Sequence, residues 1–434
     1  MSIKKNSLIA IVACVIMVIL STGSANARLS ELASAAGTSS PHLGEEIVIS
    51  ALDNQQYYPS VAYNSKHDEY LVVWRNGWGG SSDIYAQRVT GHGKLLSWFV
   101  VGPTAPLHPY PNDRFSPSVA YDPVNDRYLV VWMYDTSGNG TNYDIHGVFV
   151  NWNGPIAGQH EFKICDWSTI QLNPEVAYAR TEEEFMIIWE TNHPTLPSYI
   201  SGRRMKASDG TFNSSGSDFT IDNVSQDLLF PQIAYNLTRN EYLVVYFNGL
   251  DILGTRFTGK GAALAGGEFT IAGWPGAETY PSVAACRETD QYLVAWQNDQ
   301  PDIYARFIKG DGAFDGGPLH MAFTSIHEVL PQVACNAAGS QFVVVWQQQF
   351  SNATGPYGIR GQFVNTDKTL GTDFGIMSPT GGVTAQFTLP AVAGGKVNFL
   401  TVWEHDRAGT TYQDIHGRLI TPYSVFLPLL VRNH

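Results

Sequence analysis

Seven times along the chain a Pro-x-Val/Ile-Ala segment of alternating side chains passes through a short polar turn into an unbroken apolar run that ends in Trp or Tyr. The prolines are Pro59, Pro117, Pro174, Pro231, Pro281, Pro331 and Pro390, and the closing aromatics are Trp74, Trp132, Trp189, Tyr246, Trp296, Trp346 and Trp403. Alternation predicts a strand with two unlike faces, and the continuous apolar run predicts a strand buried on both. A third strand follows in each unit, as in Asp83-Ile84-Tyr85-Ala86-Gln87-Arg88 and Asp414-Ile415-His416-Gly417-Arg418. Its fourth position holds Ala or Gly in all seven copies, which predicts a close approach there, placed against a neighbouring sheet. A glycine-bearing turn such as Gly91-His92-Gly93 then leads to a fourth alternating strand such as Glu268-Phe269-Thr270-Ile271.

Successive closing aromatics are 58, 57, 57, 50, 50 and 57 residues apart. A period near fifty with four strands per unit is that of a β-propeller blade. Each unit is apolar on both faces, since Val61 and Tyr63 point one way and Ser60 and Ala62 the other, so it needs a sheet on either side. The predicted fold is therefore all-β: a single seven-bladed β-propeller with four antiparallel strands per blade. Glu46-Ile47-Val48-Ile49 matches a fourth strand but precedes any first strand, so it is expected to complete the last blade, whose other strands lie at 389–420. The chain divides into a signal peptide (1–27), a flexible lead (28–44), the ring (45–420) and an apolar tail (421–434).

The leader reading rests on Lys4-Lys5, an apolar run from Leu8 to Leu20, and small residues before Ala27, where cleavage is expected. That run has 13 residues, against the roughly 20 of a membrane span. A secreted protein without a membrane span is predicted, with cell-surface association as an extension and a monomer as the oligomeric state. The net charge is −13, and removing Lys4 and Lys5 with the leader takes it to −15, which excludes an electropositive nucleic-acid footprint. Cys165, Cys286 and Cys335 remain, an odd number without C-x-x-C spacing, and buried thiols are expected.

The segments Pro-Ser-Val-Ala, Leu-Val-Val-Trp and Asp-Ile-Tyr-Ala-Gln-Arg resemble a repeat of large secreted bacterial surface proteins and RTX-type calcium-binding proteins, over about residues 45–420. The resemblance implies a WD40-like ring in an extracellular setting and says little about activity. The Gly-His and Trp-Asp pairs of WD40 blades, the Gly-Gly pair of kelch blades and the Asp-box of sialidases do not occur, so those functions are not transferred. Calcium enters through the resemblance alone, and no D-x-D-x-D-G loop supports it.

Loops joining fourth to first and second to third strands share one face, and their variety makes that face the expected binding surface. Candidate binding residues there are Arg75, Asn76, Trp78, His108, Tyr110, Arg114, Tyr134, Glu190, His193, Trp274, Asn298, Gln347, Glu404 and His405, with Asp113 and Asp406 beside them. Aromatics among carboxylates and amides suit a polysaccharide or protein ligand. Glu190 and Glu404 directly follow a closing aromatic and are the weak candidates for a catalytic acid/base pair, although Arg75, Met133, Phe247, Gln297 and Gln347 fill the equivalent positions. The aspartate before Ile in the third strand (Asp83, Asp144, Asp251, Asp302, Asp414) is read as a turn cap. His193 and His405-Asp406 lack metal-ligand spacing, so no metal and no cofactor is assigned. The leading expectation is a non-enzymatic extracellular recognition module. An extracellular polysaccharide hydrolase or lyase with its site at the axis is the alternative, and a structural envelope protein the third reading.

Overall fold

A computed structural model describes residues 41–422 apart from 79–80, 102–112, 214–217, 222–224, 288, 322–325, 340, 351–354, 380–385 and 407–411. The expected leader and nearly all of the tail, together with His108 and Tyr110, lie outside the described residues. Seven antiparallel sheets form the ring. Blade one runs outward through Gln55–Asn64, Glu69–Trp78, Ser81–Thr90 and Leu95–Val101, and each later blade repeats that order. Blade two adds a short Gly154–Pro155 strand beside its third. In blade seven the order is Phe387–Gly394, Phe399–Asp406, Gln413–Thr421 and then His42–Ser50 from the start of the chain, with Ile47 opposite Gly417. The closing strand is the one expected from its sequence, and it begins at His42. Among the described residues there is no helix, hence none long and apolar enough to cross a membrane.

Both faces of every second strand are buried, as the continuous apolar runs require. Tyr70, Val72 and Trp74 pack toward blade seven with Leu400, Val402 and Ile415, whereas Leu71 and Val73 pack toward blade two with Val119, Tyr128 and Trp132. The same partition gives seven hydrophobic clusters, one at each junction between neighbouring blades. The seven closing aromatics are each no more than 1% exposed. No blade could bury its second strand alone, so stacking around the circle is where the hydrophobic stabilisation arises.

Three expectations need correction. The small residue of the third strand answers to its own blade: a Cβ at Gly202 would meet the Phe219 ring at 2.1 Å, and one at Gly254 would meet Ile271 Cδ1 at 2.8 Å, both on the fourth strand of the same sheet. The third-strand aspartates are not a common turn cap. Asp83 accepts from Arg114 at 2.7 Å and Asp302 lies 3.5 Å from His320, while the turns before Asp251 and Asp302 are capped by Asn248 and Asn298. Two of the three cysteines are not thiols: Cys286 and Cys335 form a disulfide with Cα atoms 5.4 Å apart, and only Cys165 is free and buried. The pair ends the innermost strands of blades five and six, where neighbouring sheets converge, so a separation of 49 residues becomes a contact.

Candidate active site at the ring axis

Every innermost strand carries a register shift at the dipeptide ending in its proline, for example between Tyr57 and Ser60 and between Leu172 and Glu175. The residue before each proline has positive φ: Tyr58, Ser116, Asn173, Phe230, Tyr280, Leu330 and Leu389 lie between 45° and 56°. Bulky L-residues rarely adopt this conformation, at a cost on the order of 1–2 kcal/mol each. The kink turns these seven residues toward the axis, where they line a cavity of about 420 Å³ with six of the seven prolines and six of the residues that follow them. Tyr280 is 38% exposed and its ring lies 4.8 Å from that of Phe230, so blades four and five together present an aromatic ledge, while Tyr58, 41% exposed, stands apart on blade one.

The residues after the prolines are Ser60, Ser118, Glu175, Gln232, Ser282, Gln332 and Ala391, and all of them but Ser282 line the cavity. Glu175 is the one carboxylate among the described residues lining the cavity. Its Oε2 accepts from Ser118 Oγ at 2.8 Å and its Oε1 from Gln232 Nε2 at 2.9 Å, one neighbour on each adjacent blade. Burial pushes its carboxyl up to about 7, and these two donors only partly offset it. A group that titrates near neutrality and is held by two donors can take up or release a proton without large rearrangement.

None of the described residues among those expected from the sequence lines this cavity. Glu190, Gln347 and Glu404 instead lie behind it and act across blade junctions. Glu404 Oε1 accepts the Tyr58 amide at 2.7 Å, Glu190 Oε2 the Phe230 amide at 3.4 Å, and Gln347 Oε1 the Leu389 amide at 3.4 Å; Gln297, at the same repeat position, accepts that of Leu330. Each thus holds the kinked residue of the following blade. Burial raises the Glu190 carboxyl and carries that of Glu404 up to about 7. Their shared duty is to the backbone, and the structure does not pair them as acid and base.

The remaining candidates are spread over the loop face. Arg75 stacks on Phe115 at 4.2 Å and lies 3.7 Å from Asp113. Arg114 is buried between Asp83 and Glu161, and Tyr134 stacks on His146 at 4.3 Å. Burial opposes ionisation of Glu161, yet His146 and Arg114 together hold its carboxyl at about 2. Asn76 is buried in its strand; His193 and Asn298 accept amides of their own turns; Trp274 packs on Tyr304. Trp78 is placed by its strand alone. His405 meets His416, which in turn meets Glu46, and Asp406 accepts from Gln413. Sequence reasoning missed Glu175, Asn173 and the aromatic ledge because it searched the long loops. The available signal was the position after each proline, where one carboxylate stands in a set of serines, glutamines and one alanine.

The sequence matches no family model and no curated protein. In fold, the chain is similar to the polysaccharide lyase Uly1 (TM-score 0.55, 10% identity, 87% of this chain and 99% of that one). It is also similar to an α-L-arabinofuranosidase from Fusarium graminearum (0.55, 12%, 76% and 99%) and to a fungal copper-containing alcohol oxidase (0.52, 10%, 88% and 76%). Identity this low establishes the shared fold alone. These findings correct the expectation of a non-catalytic recognition module. That reading rested on the lack of a catalytic constellation in the loops, whereas rings of this shape include carbohydrate-active enzymes and the axis here holds a carboxyl poised near neutrality.

Proposed function

We propose that this chain is an exported carbohydrate-active enzyme, a polysaccharide hydrolase or lyase, working at the ring axis with Glu175 as its proton-transferring group. The observation that carries the reading is the Glu175 carboxyl, raised to about 7 by burial in an axial cavity and gripped by Ser118 and Gln232. Tyr58, Phe230 and Tyr280 supply apolar ring faces of the kind on which sugars stack. The fold neighbours that are a polysaccharide lyase and an arabinofuranosidase support the substrate class. The Cys286–Cys335 disulfide supports export, because such bonds persist in oxidising compartments. Within this class, a single carboxylate among the described lining residues favours elimination over hydrolysis by two facing carboxyls: one group takes the proton α to a sugar carboxylate, the C–O bond β to that carboxylate breaks, and the proton passes on to the departing oxygen.

The test is a screen of neutral and uronic-acid polysaccharides, read by ultraviolet absorbance of unsaturated products and by new reducing ends. On the polymer that is cleaved, Glu175→Gln is expected to lower kcat roughly 100-fold or more with little change in melting temperature. Undiminished turnover in that variant, or no cleavage of any polymer, overturns the proposal.

A further inference from the structure

We propose that Glu46, His405 and His416 form a binding site for a divalent transition-metal ion of the zinc type, which fastens the first strand of the ring to its last blade. His405 Nδ1 lies 3.1–3.2 Å from the His416 ring nitrogens, and His416 Nδ1 lies 2.6 Å from Glu46 Oε1. One ligand atom from each of the three falls within 4.8 Å of the other two. Two nitrogens bound tetrahedrally to zinc stand about 3.3 Å apart, so the imidazoles need little movement to share an ion. Two imidazoles and one carboxylate are a donor set that suits zinc, with a fourth position for water.

A second copy of this arrangement inside the same molecule shows what blade seven has changed. Blade two carries Tyr134, His146 and Glu161 at the positions of His405, His416 and Glu46. There the positive charge is built in: Arg114, opposite Tyr134, reaches Glu161 at 3.0 Å and lies 5.2 Å from the Tyr134 ring. In blade seven Phe387 takes the arginine's place opposite His405, and a second imidazole replaces the phenol. Beside His416, the charged groups bearing on His405 are Glu46, Asp414 and Asp406, all acidic. Arg418 is turned away to the Ile376 carbonyl. Blade seven has thus exchanged an internal cation for a nitrogen ligand in an acidic surrounding, which is what an external cation requires.

The ligands come from opposite ends of the ring, Glu46 and His416 being 370 residues apart, so an ion held between them clamps the seam. The test uses the mature chain, residues 28–434, stripped with chelator and titrated with Zn²⁺ alone by calorimetry, beside His405→Tyr and Glu46→Gln. One ion per chain is expected, with a melting temperature about 3 °C higher at a hundredfold excess over Kd. Both variants are expected to bind Zn²⁺ at least tenfold more weakly while keeping the metal-free melting temperature. His405→Tyr installs the residue that blade two already accommodates. Should either variant fail to fold, Co²⁺ added to the unaltered chain gives a second reading: visible absorption of a tetrahedral nitrogen and oxygen site supports the proposal, and its absence overturns it. Failure of the unaltered chain to bind Zn²⁺, or undiminished binding in both variants, also overturns it.

Discussion

The Glu404 carboxylate accepts the backbone N–H of Tyr58 at 2.7 Å, joining residues 346 positions apart across the seam of the ring. Gln297 and Gln347 make the same bond to the next blade through an amide oxygen, so the duty does not need a charge. Glu404→Gln is therefore expected to leave stability at neutral pH unchanged or improved. Glu404→Ala strands the Tyr58 amide and is expected to cost about 1–3 kcal/mol, measured by denaturant unfolding.

Stability should fall as pH rises from about 4.5 to about 7. Glu404 is buried and its folded carboxyl is raised to about 7, whereas the unfolded chain releases that proton near the ordinary value of 4.5. Between these values the unfolded state binds fewer protons, so alkalinity favours unfolding. The full effect of Glu404 amounts to a few kcal/mol, reached above the folded value. Melting temperatures from pH 4 to 8 should decline less steeply in Glu404→Gln than in the unaltered chain; parallel curves would exclude Glu404 as a source of the decline.

Reducing the Cys286–Cys335 bond should loosen the junction of blades five and six. Closing a loop of 49 residues lowers the entropy of the unfolded chain by the equivalent of about 4 kcal/mol in the chain-entropy description. The double variant Cys286→Ser with Cys335→Ser is expected to unfold at lower denaturant, and reductant should lower the unaltered chain to the same midpoint.

Tyr280→Ala removes the more open of two neighbouring, mutually tilted rings lining the cavity, 4.8 Å from Phe230. If polysaccharide lies on that ledge, KM should rise about tenfold with kcat little changed, since a stacking face acts on bound substrate and transition state alike. A drop in kcat alone would place Tyr280 in the chemistry instead.

Ser116 has φ of 45°, where glycine is free of the Cβ penalty. Ser116→Gly is expected to stabilise the ring by about 1 kcal/mol, because Ser116 has the smallest side chain in the kinked set and loses little packing. A calorimetric melt checks it.

The architecture was legible because repetition multiplies a weak signal. One Leu-Val-Val-Trp run is ambiguous, but seven at a fixed period, each behind a Pro-x-Val-Ala strand, admit few arrangements, and Glu46 to Ile49 falls into the one sheet left short. The axial site was hidden by the same regularity. Glu175 occupies a position that is Ser60 or Gln232 elsewhere, so it looked like one more member of the repeat. The kink before each proline is equally invisible in sequence, since Tyr58, Phe230 and Leu389 are poor candidates for positive φ. Glu190 and Glu404 drew attention as carboxylates, whereas their repeat position, shared with glutamines, pointed to a backbone partner. The Cys286–Cys335 bond required knowing that equivalent ends of neighbouring units meet.

Thr421 and His42 face each other in register on adjacent strands, so the described ring starts and stops at almost the same place. A short peptide bridging that gap, with a new opening cut into one of the Asx-capped turns such as Asn64 to Asp68, would reorder the chain without removing a single strand. The blade that is now assembled from both extremities would then be contiguous, and the burden of sealing the circle would pass to blade one.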